Sequence, residues 1–248
     1  MSNPTPNSLP ENAGLAYLGE PAWPPSLLTE RQAHQLVAAA NTCGRPNSDV
    51  LRMRLAVVEG EPVESCQIDF PDHFTTQEAA LYEEPFALLQ KRADGAWQNP
   101  HAHAGLRRAL ARISRWLALP ADADAPDWRW IEEELLPDAS LLIVARDDDF
   151  SHGVLQSSAF ATWQAAHRPT LIPVQVVESF PFPWPPGTAR SALSKAQEEH
   201  RHAIVRAACS EDAEQLNAAV LAAYGWPTEL SGAELLEKLT ALNDQRSS

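Results

Sequence analysis

The sequence predicts an α/β (α+β) protein, a mixed-sheet domain followed by a small helical C-terminal region, and three observations lead there. Short apolar, β-branched runs such as "VLRMRLAVV" and "SLLIV" alternate with segments of helical periodicity as far as the proline-rich stretch "ESFPFPWPPG". Beyond that stretch, from Ala189 to Asn243, the apolar residues keep helical spacing throughout. With 248 residues, 44% of them hydrophobic, the chain is long enough for one large domain or for a main domain with an appendage. The expected divisions are a flexible tail over 1–20, an α/β domain over 21–185 and a helical region over 186–248.

Thr29 and Gln32 open "TERQAHQLVAAA" as a capping box and predict a first amphipathic helix. "VLRMRLAVVEG" and "SCQIDF" read as strands. A second capping box, Thr75 with Glu78, starts "FTTQEAALYEEPFALLQKR", in which Pro85 predicts a kink or break. From Gly105 to Leu119, "GLRRALARISRWLAL" sets Leu106, Leu110, Ile113 and Leu117 on one stripe, which predicts a helix with a basic face. "SLLIVARDDD" is the clearest buried strand, a helix is expected from Gly153 to Ala166, and "PVQVVESF" reads as a further strand. In the C-terminal region Ser231 and Glu234 form a third capping box, and "YGWP" marks a stop between helices.

The stretch from Val176 to Thr188 holds two Phe and a Trp in a frame of prolines, so it runs as an extended ribbon. Such a ribbon is either a strap with buried aromatics or a docking surface for a partner.

Composition excludes several classes. No apolar run approaches the roughly 18 residues needed to span a bilayer. The start, "MSNPTPNSLPENAG", has neither a basic nor an apolar leader region, so no membrane association and a cytoplasmic address are expected. Three cysteines, Cys43, Cys66 and Cys209, lack paired spacing and argue against disulfides and zinc. The formal charge of −14 disfavours general coating of nucleic acid. No phosphate-cradling glycine loop, HExxH, paired CxxC or G-x-S-x-G elbow occurs, and no catalytic residue, metal ligand or cofactor is assigned. "HAH" (His101 to His103) and "HRH" (His200 to His202) read as solvated histidines, since helix positions two apart point in different directions. Asp147, Asp148 and Asp149 read as a solvated turn rather than a magnesium site. In "WRWIEEELL", Trp128 and Trp130 share a face if extended, either as core or as a stacking or docking surface.

Charge is unevenly distributed. Lys91, Arg92, Arg107, Arg108, Arg112 and Arg115 stand against a single acid, Asp94, between positions 91 and 115. Between Ala121 and Asp149, ten acids stand against Arg129 and Arg146. The first segment is read either as solvated ion pairs or as a DNA-facing helix.

Several stretches, in order, resemble the target-recognition and C-terminal helical regions of the MmeI-like (type IIL) restriction–modification adenine DNA methyltransferases. They are "IDF" with "EAALYEEPFALLQKR", "LRRALARISRWLALP", "LPDASLLIVARDDDFSHGVLQSSAFATWQ", "ESFPFPWPPG" and "LNAAVLAAYGWPTELSGAELLEKLTALN". The resemblance implies a domain that reads DNA sequence in the major groove, next to a methyltransferase, and makes the proline ribbon a strap into the helical tail. The family's catalytic motifs, an [NDS]-P-P-[YF] loop, a glycine-rich S-adenosylmethionine loop and a nuclease pattern, do not occur in this chain. After "RWLALP" the family carries a basic segment where this chain reads "ADADAPDW", and before "ESFPFP" a Thr-rich run where it reads "LIPVQVV".

The resulting expectation is a non-catalytic DNA target-recognition (specificity) subunit or remnant of a split adenine methyltransferase, in restriction–modification or phage defence. Lys91, Arg92, Arg107, Arg108, Arg112 and Arg115 would meet double-stranded DNA. The expected partner is a methyltransferase or other defence-system protein; the alternative is a repurposed scaffold without sequence-specific DNA binding whose acidic face, with Asp122, Asp124, Asp127, Trp128 and Trp130, binds a defence component or a basic DNA-binding protein.

Overall fold

The computed structural model describes residues 5–71, 73–95, 104–132, 134–210 and 212–247. The first half of the chain forms β1 (Ala16–Leu18), β2 (Leu27–Leu28), α1 (Glu30–Ala38), β3 (Leu51–Val58), β4 (Glu61–Ile68), α2 (Thr76–Ala79), α3 (Glu83–Arg92) and α4 (Ala104–Leu110). There follow β5 (Trp116–Pro120), β6 (Arg129–Ile131), β7 (Leu136–Pro137), β8 (Leu141–Val144), α5 (Asp149–Gln156), α6 (Ser158–His167) and α7 (Pro173–Ser179). The chain closes with α8 (Lys195–Cys209), α9 (Ala213–Ala223) and α10 (Gly232–Arg246). Among the described residues it is a mixed α/β protein with two four-stranded sheets, each in its own compact unit. The units divide the chain differently from the expected tail, domain and helical region. One takes Met1–Leu18, Ala109–Glu132 and Leu142–Ser248, and the other takes Gly19–Arg108 and Glu133–Leu141. Among the described residues no helix is long and apolar enough to cross a membrane.

The second unit holds the sheet β2-β4-β3-β7, in which β7 runs parallel to β3 and the other pairs are antiparallel. Glu59 and Gly60, both at positive φ (53° and 85°), make the two-residue turn of the β3–β4 hairpin, matching strand twist. The Thr29–Gln32 and Thr75–Glu78 capping boxes are both present. Pro85 sits in the first turn of α3, where its missing N–H costs nothing, so the predicted break falls between α2 and α3. Phe70 is buried beneath Phe74, Tyr82 and Phe86, at ring separations of 6.1–6.4 Å. Gly19 is needed for close approach, because a methyl there would collide with the carbonyl groups of Pro137 and Asp138.

The first unit holds the sheet β1-β8-β5-β6, packed under α5 to α10. Every residue of β8 is buried, as an inner strand made of "LLIV" requires. Trp116 to Leu119 are also buried in succession, and here the sequence expectation fails. The segment Gly105 to Leu119 is not one helix: α4 ends at Leu110, a turn follows, and "WLALP" is β5. The helical spacing of Leu106, Leu110, Ile113 and Leu117 also fits a short buried strand after a turn, and sheet pairing decides between them.

Two further expectations are corrected. "PVQVVESF" is helical as α7: Pro173 presets its first turn, and Val176, Val177 and Phe180 are buried at helical spacing. β-branched density suggested a strand, and burial against the core overrides that propensity. The helix expected from Gly153 to Ala166 is broken at Ser157, whose hydroxyl donates to Val154 O at 2.7 Å. Gly153 is required there, since a methyl would stand 2.7 Å from Ile204 of α8.

Residues 9–18, expected as part of a flexible tail, belong to this core. Leu9 is 1% exposed, Asn12 donates to Phe180 O at 2.8 Å, and β1 pairs antiparallel with β8. The proline ribbon is internal as well. Phe180, Phe182 and Trp184 are buried, and Trp184 stacks on Phe150 at 4.5 Å. Its carbonyls take hydrogen bonds from the tail: Tyr224 Oη donates to Pro181 O at 2.8 Å and Arg246 to Phe182 O at 2.6 Å.

Truncating Trp184 removes this stacking and leaves a cavity. Trp184→Ala should therefore lower stability by about 3–5 kcal/mol in urea unfolding; an unchanged midpoint would mean the ribbon is not anchored. A second expectation concerns pH. His167 is 2% exposed against Trp163, its Nε2 has no partner among the described residues, and burial pushes its imidazole below the ordinary value. Burial lowers His152 likewise. The unfolded chain then binds more protons, so stability is full above pH about 6.5 and declines as pH falls toward the folded-state values. His167→Phe should flatten part of that decline in urea midpoints measured against pH.

Candidate nucleic-acid interface

The six predicted DNA-facing cations do not share one helix. Lys91 and Arg92 close α3, Arg107 and Arg108 lie in α4, Arg112 is in the following turn and Arg115 just precedes β5. The division between units falls after Arg108, so Arg112 and Arg115 belong to the first unit and the others to the second.

Their surroundings separate them into two kinds. Arg107 is clamped between two carboxylates: Nε and Nη2 donate to Glu20 at 2.6 Å each, and Nη1 and Nη2 donate to Asp69 at 2.8 and 3.0 Å. Burial opposes its charge, but the hydrogen bonds to Glu20 and Asp69 outweigh that and hold the guanidinium protonated above its ordinary value. Arg92 donates to Leu27 O at 2.6 Å and to Pro25 O at 3.3 Å. Arg115 pairs with Asp149 at 2.8 Å, donates to Asp147 O, and lies 3.9 Å over the Trp130 ring. Lys91, Arg108 and Arg112 are exposed and bear no ion pair among the described residues.

A related pair was missed from the sequence. Arg54, 2% exposed, pairs with Asp138 at 2.6 Å, and also donates to Gln67 and to the carbonyl of Glu20. Burial alone would raise the Asp138 carboxyl, but Arg54 and the Ser140 N–H hold it below its ordinary value. The signal was an arginine inside the apolar strand "LRMRLAVV", where a charge is affordable only with a partner.

The acidic segment is also partly internal. Asp122 is exposed, Asp124 pairs with Arg168 at 3.0 Å, and Asp127 with Arg129 at 3.0 Å. Trp128 is 2% exposed and packs on Phe160, which corrects its assignment to a partner-facing surface. Half-buried Trp130 remains accessible on β6 beside His152, at 5.2 Å between rings. These residues border a groove of about 440 Å³ in the first unit, continued by Gln156, Ala208 and Asp212.

Asp148, within the aspartate triplet, is the N-cap of α5 and accepts from the Ser151 N–H at 2.8 Å. His202 pairs with Glu198 at 3.1 Å on the surface of α8, while His101 and His103 lie outside the described residues. No group of three metal-ligating side chains occurs among the described residues.

Among solved structures, the chain is similar to the type IIL restriction–modification enzyme MmeI in complex with DNA, at 14% identity and a TM-score of 0.59. The likeness covers 99% of this chain and 37% of that enzyme, and at this identity it shows the fold. No protein-family model and no curated protein matches.

Losing the Arg107 guanidinium strips buried Glu20 of its ion pair and Asp69 of two charged hydrogen bonds. Arg107→Ala should cost about 3–5 kcal/mol in urea unfolding, and Arg107→Lys should restore little because an ammonium cannot span both carboxylates. Arg108→Ala and Arg112→Ala should stay within about 0.5 kcal/mol of the parent. Equal losses at all three positions would remove the distinction between clamped and free arginines.

Proposed function

We propose that the chain is a DNA target-recognition subunit, or the remnant of one, belonging to a split adenine methyltransferase of a restriction–modification or phage-defence system, and not catalytic by itself. The observation that carries the reading is the likeness over 99% of the chain to part of a DNA-bound restriction–modification enzyme. In this reading Lys91, Arg108 and Arg112 meet phosphates, while Arg92, Arg107 and Arg115 position the elements that carry them. A methyltransferase protein in the cytoplasm supplies the cofactor and catalytic loops.

Three phosphate contacts give a salt slope of only about −2.7, so binding to duplex DNA should be weak and visible at low salt. Lys91→Glu/Arg108→Glu/Arg112→Glu should abolish a low-salt gel shift, with the slope falling by about one for each contact removed singly. A triple variant that shifts DNA like the parent would reject these contacts. Titration with S-adenosylmethionine should give no saturable heat.

A second reading, a scaffold that binds a protein through its acidic face, is favoured by the charge of −14 together with the internal neutralisation of Arg107 and Arg115. Asp122→Lys/Asp124→Lys/Asp127→Lys should then weaken capture of a basic partner from the native host in a salt-sensitive way. Recovery of the same proteins by parent and variant would discard it.

A further inference from the structure

We propose that the groove between β6, α5 and the α8–α9 junction receives an arginine or lysine side chain of a protein partner. The inference rests on the protein-partner reading and assigns it a place and a chemistry. The groove, at about 440 Å³, is large enough for a long side chain with its flanking backbone. Ala207, Ala208 and Leu216 offer an apolar floor for an aliphatic stem, and Trp130 and His152 form an aromatic wall.

The rim carries Asp127 and Asp212, and among the described residues no lysine or arginine lines the groove. Asp212 is the N-cap of α9 and accepts from the Gln215 N–H at 3.0 Å through Oδ1, which leaves Oδ2 for another donor. Asp127 is held by Arg129 in a pair whose members are 68% and 75% exposed, so an incoming cation can exchange with Arg129 at little cost. Burial pushes the His152 imidazole below its ordinary value, which disfavours a repulsive charge there. One face of Trp130 carries the Arg115 guanidinium at 3.9 Å, whose charge is balanced by Asp149, so the incoming cation is held by the rim carboxylates and its stem by the apolar floor. Phosphate is the wrong partner here, because two carboxylates at the entrance repel it.

The test uses the full chain and a fluorescein-labelled nonapeptide alternating leucine and arginine, followed by anisotropy at near-physiological salt. Two groove variants act by different routes. Asp127→Asn/Asp212→Asn removes charge while keeping a good N-cap, and Ala213→Trp, at an exposed rim position, obstructs the groove without altering charge. Glu229→Gln/Glu237→Gln removes two exposed charges elsewhere. Each groove variant should bind about tenfold more weakly, the scale of one lost anchor contact, and the control within about twofold. The proposal is overturned if the parent does not bind or if the control weakens as much as the groove variants. Peptide binding lost in Asp122→Lys/Asp124→Lys but kept in both groove variants would overturn the groove while leaving the acidic-face reading standing.

Discussion

One guanidinium organises the second unit. Arg107 reaches Glu20, which precedes β2, and Asp69, which follows β4, while Arg54 of β3 pairs with Asp138 just after β7. Glu20 and Asp138 are themselves joined by a parallel bridge. All four strands of the sheet are thereby tied to two arginines, Arg54 buried and Arg107 half-buried. Charges taken out of water gain little net stability over a well-packed apolar core. What the arrangement adds is register, since a slip of one residue would strand a carboxylate without its cation.

The same arrangement constrains function. An arginine fixed by two carboxylates has four of its five donors engaged and cannot turn to a phosphate without abandoning both. Arg115 is similarly engaged by Asp149 and Trp130. The basic density of the segment from Lys91 to Arg115 is therefore a poor measure of the potential it presents, and a chain of charge −14 has little positive potential of its own to attract duplex DNA. Under the proposed target-recognition reading, DNA binding by such a chain would depend on what a partner contributes, which makes a protein-facing surface as informative as a DNA-facing one.

Features legible in the sequence are those with local causes. The capping boxes at Thr29, Thr75 and Ser231, the "LLIV" strand and the stop at Gly225 each rest on residues within a few positions of one another. The role of Arg107 was not legible, because its partners stand 38 and 87 positions away. Nor was the break after Leu110. A run such as "RISRWLALP" satisfies helical and strand periodicity alike, and only pairing with neighbouring strands selects one. The buried N-terminal residues were hidden by their polar composition, since the burial of Leu9 and Asn12 depends on the ribbon, more than 160 positions later.

The ribbon also explains why the C-terminal helices do not form a separate domain. A proline-rich segment cannot satisfy its carbonyls within a ladder, and burying its aromatics buries those carbonyls with them. Donors must then come from elsewhere. Asn243 supplies one to Ser179 O at 2.7 Å, Tyr224 one to Pro181 O, and Arg246 reaches both Phe182 O and Pro183 O. These three donors lie in or at the end of α9 and α10, and together with Asn12, which donates to Phe180 O, they tie the buried strap to the helices packed over it and to the N-terminal residues. Composition changes at the prolines, but the physical unit runs through them.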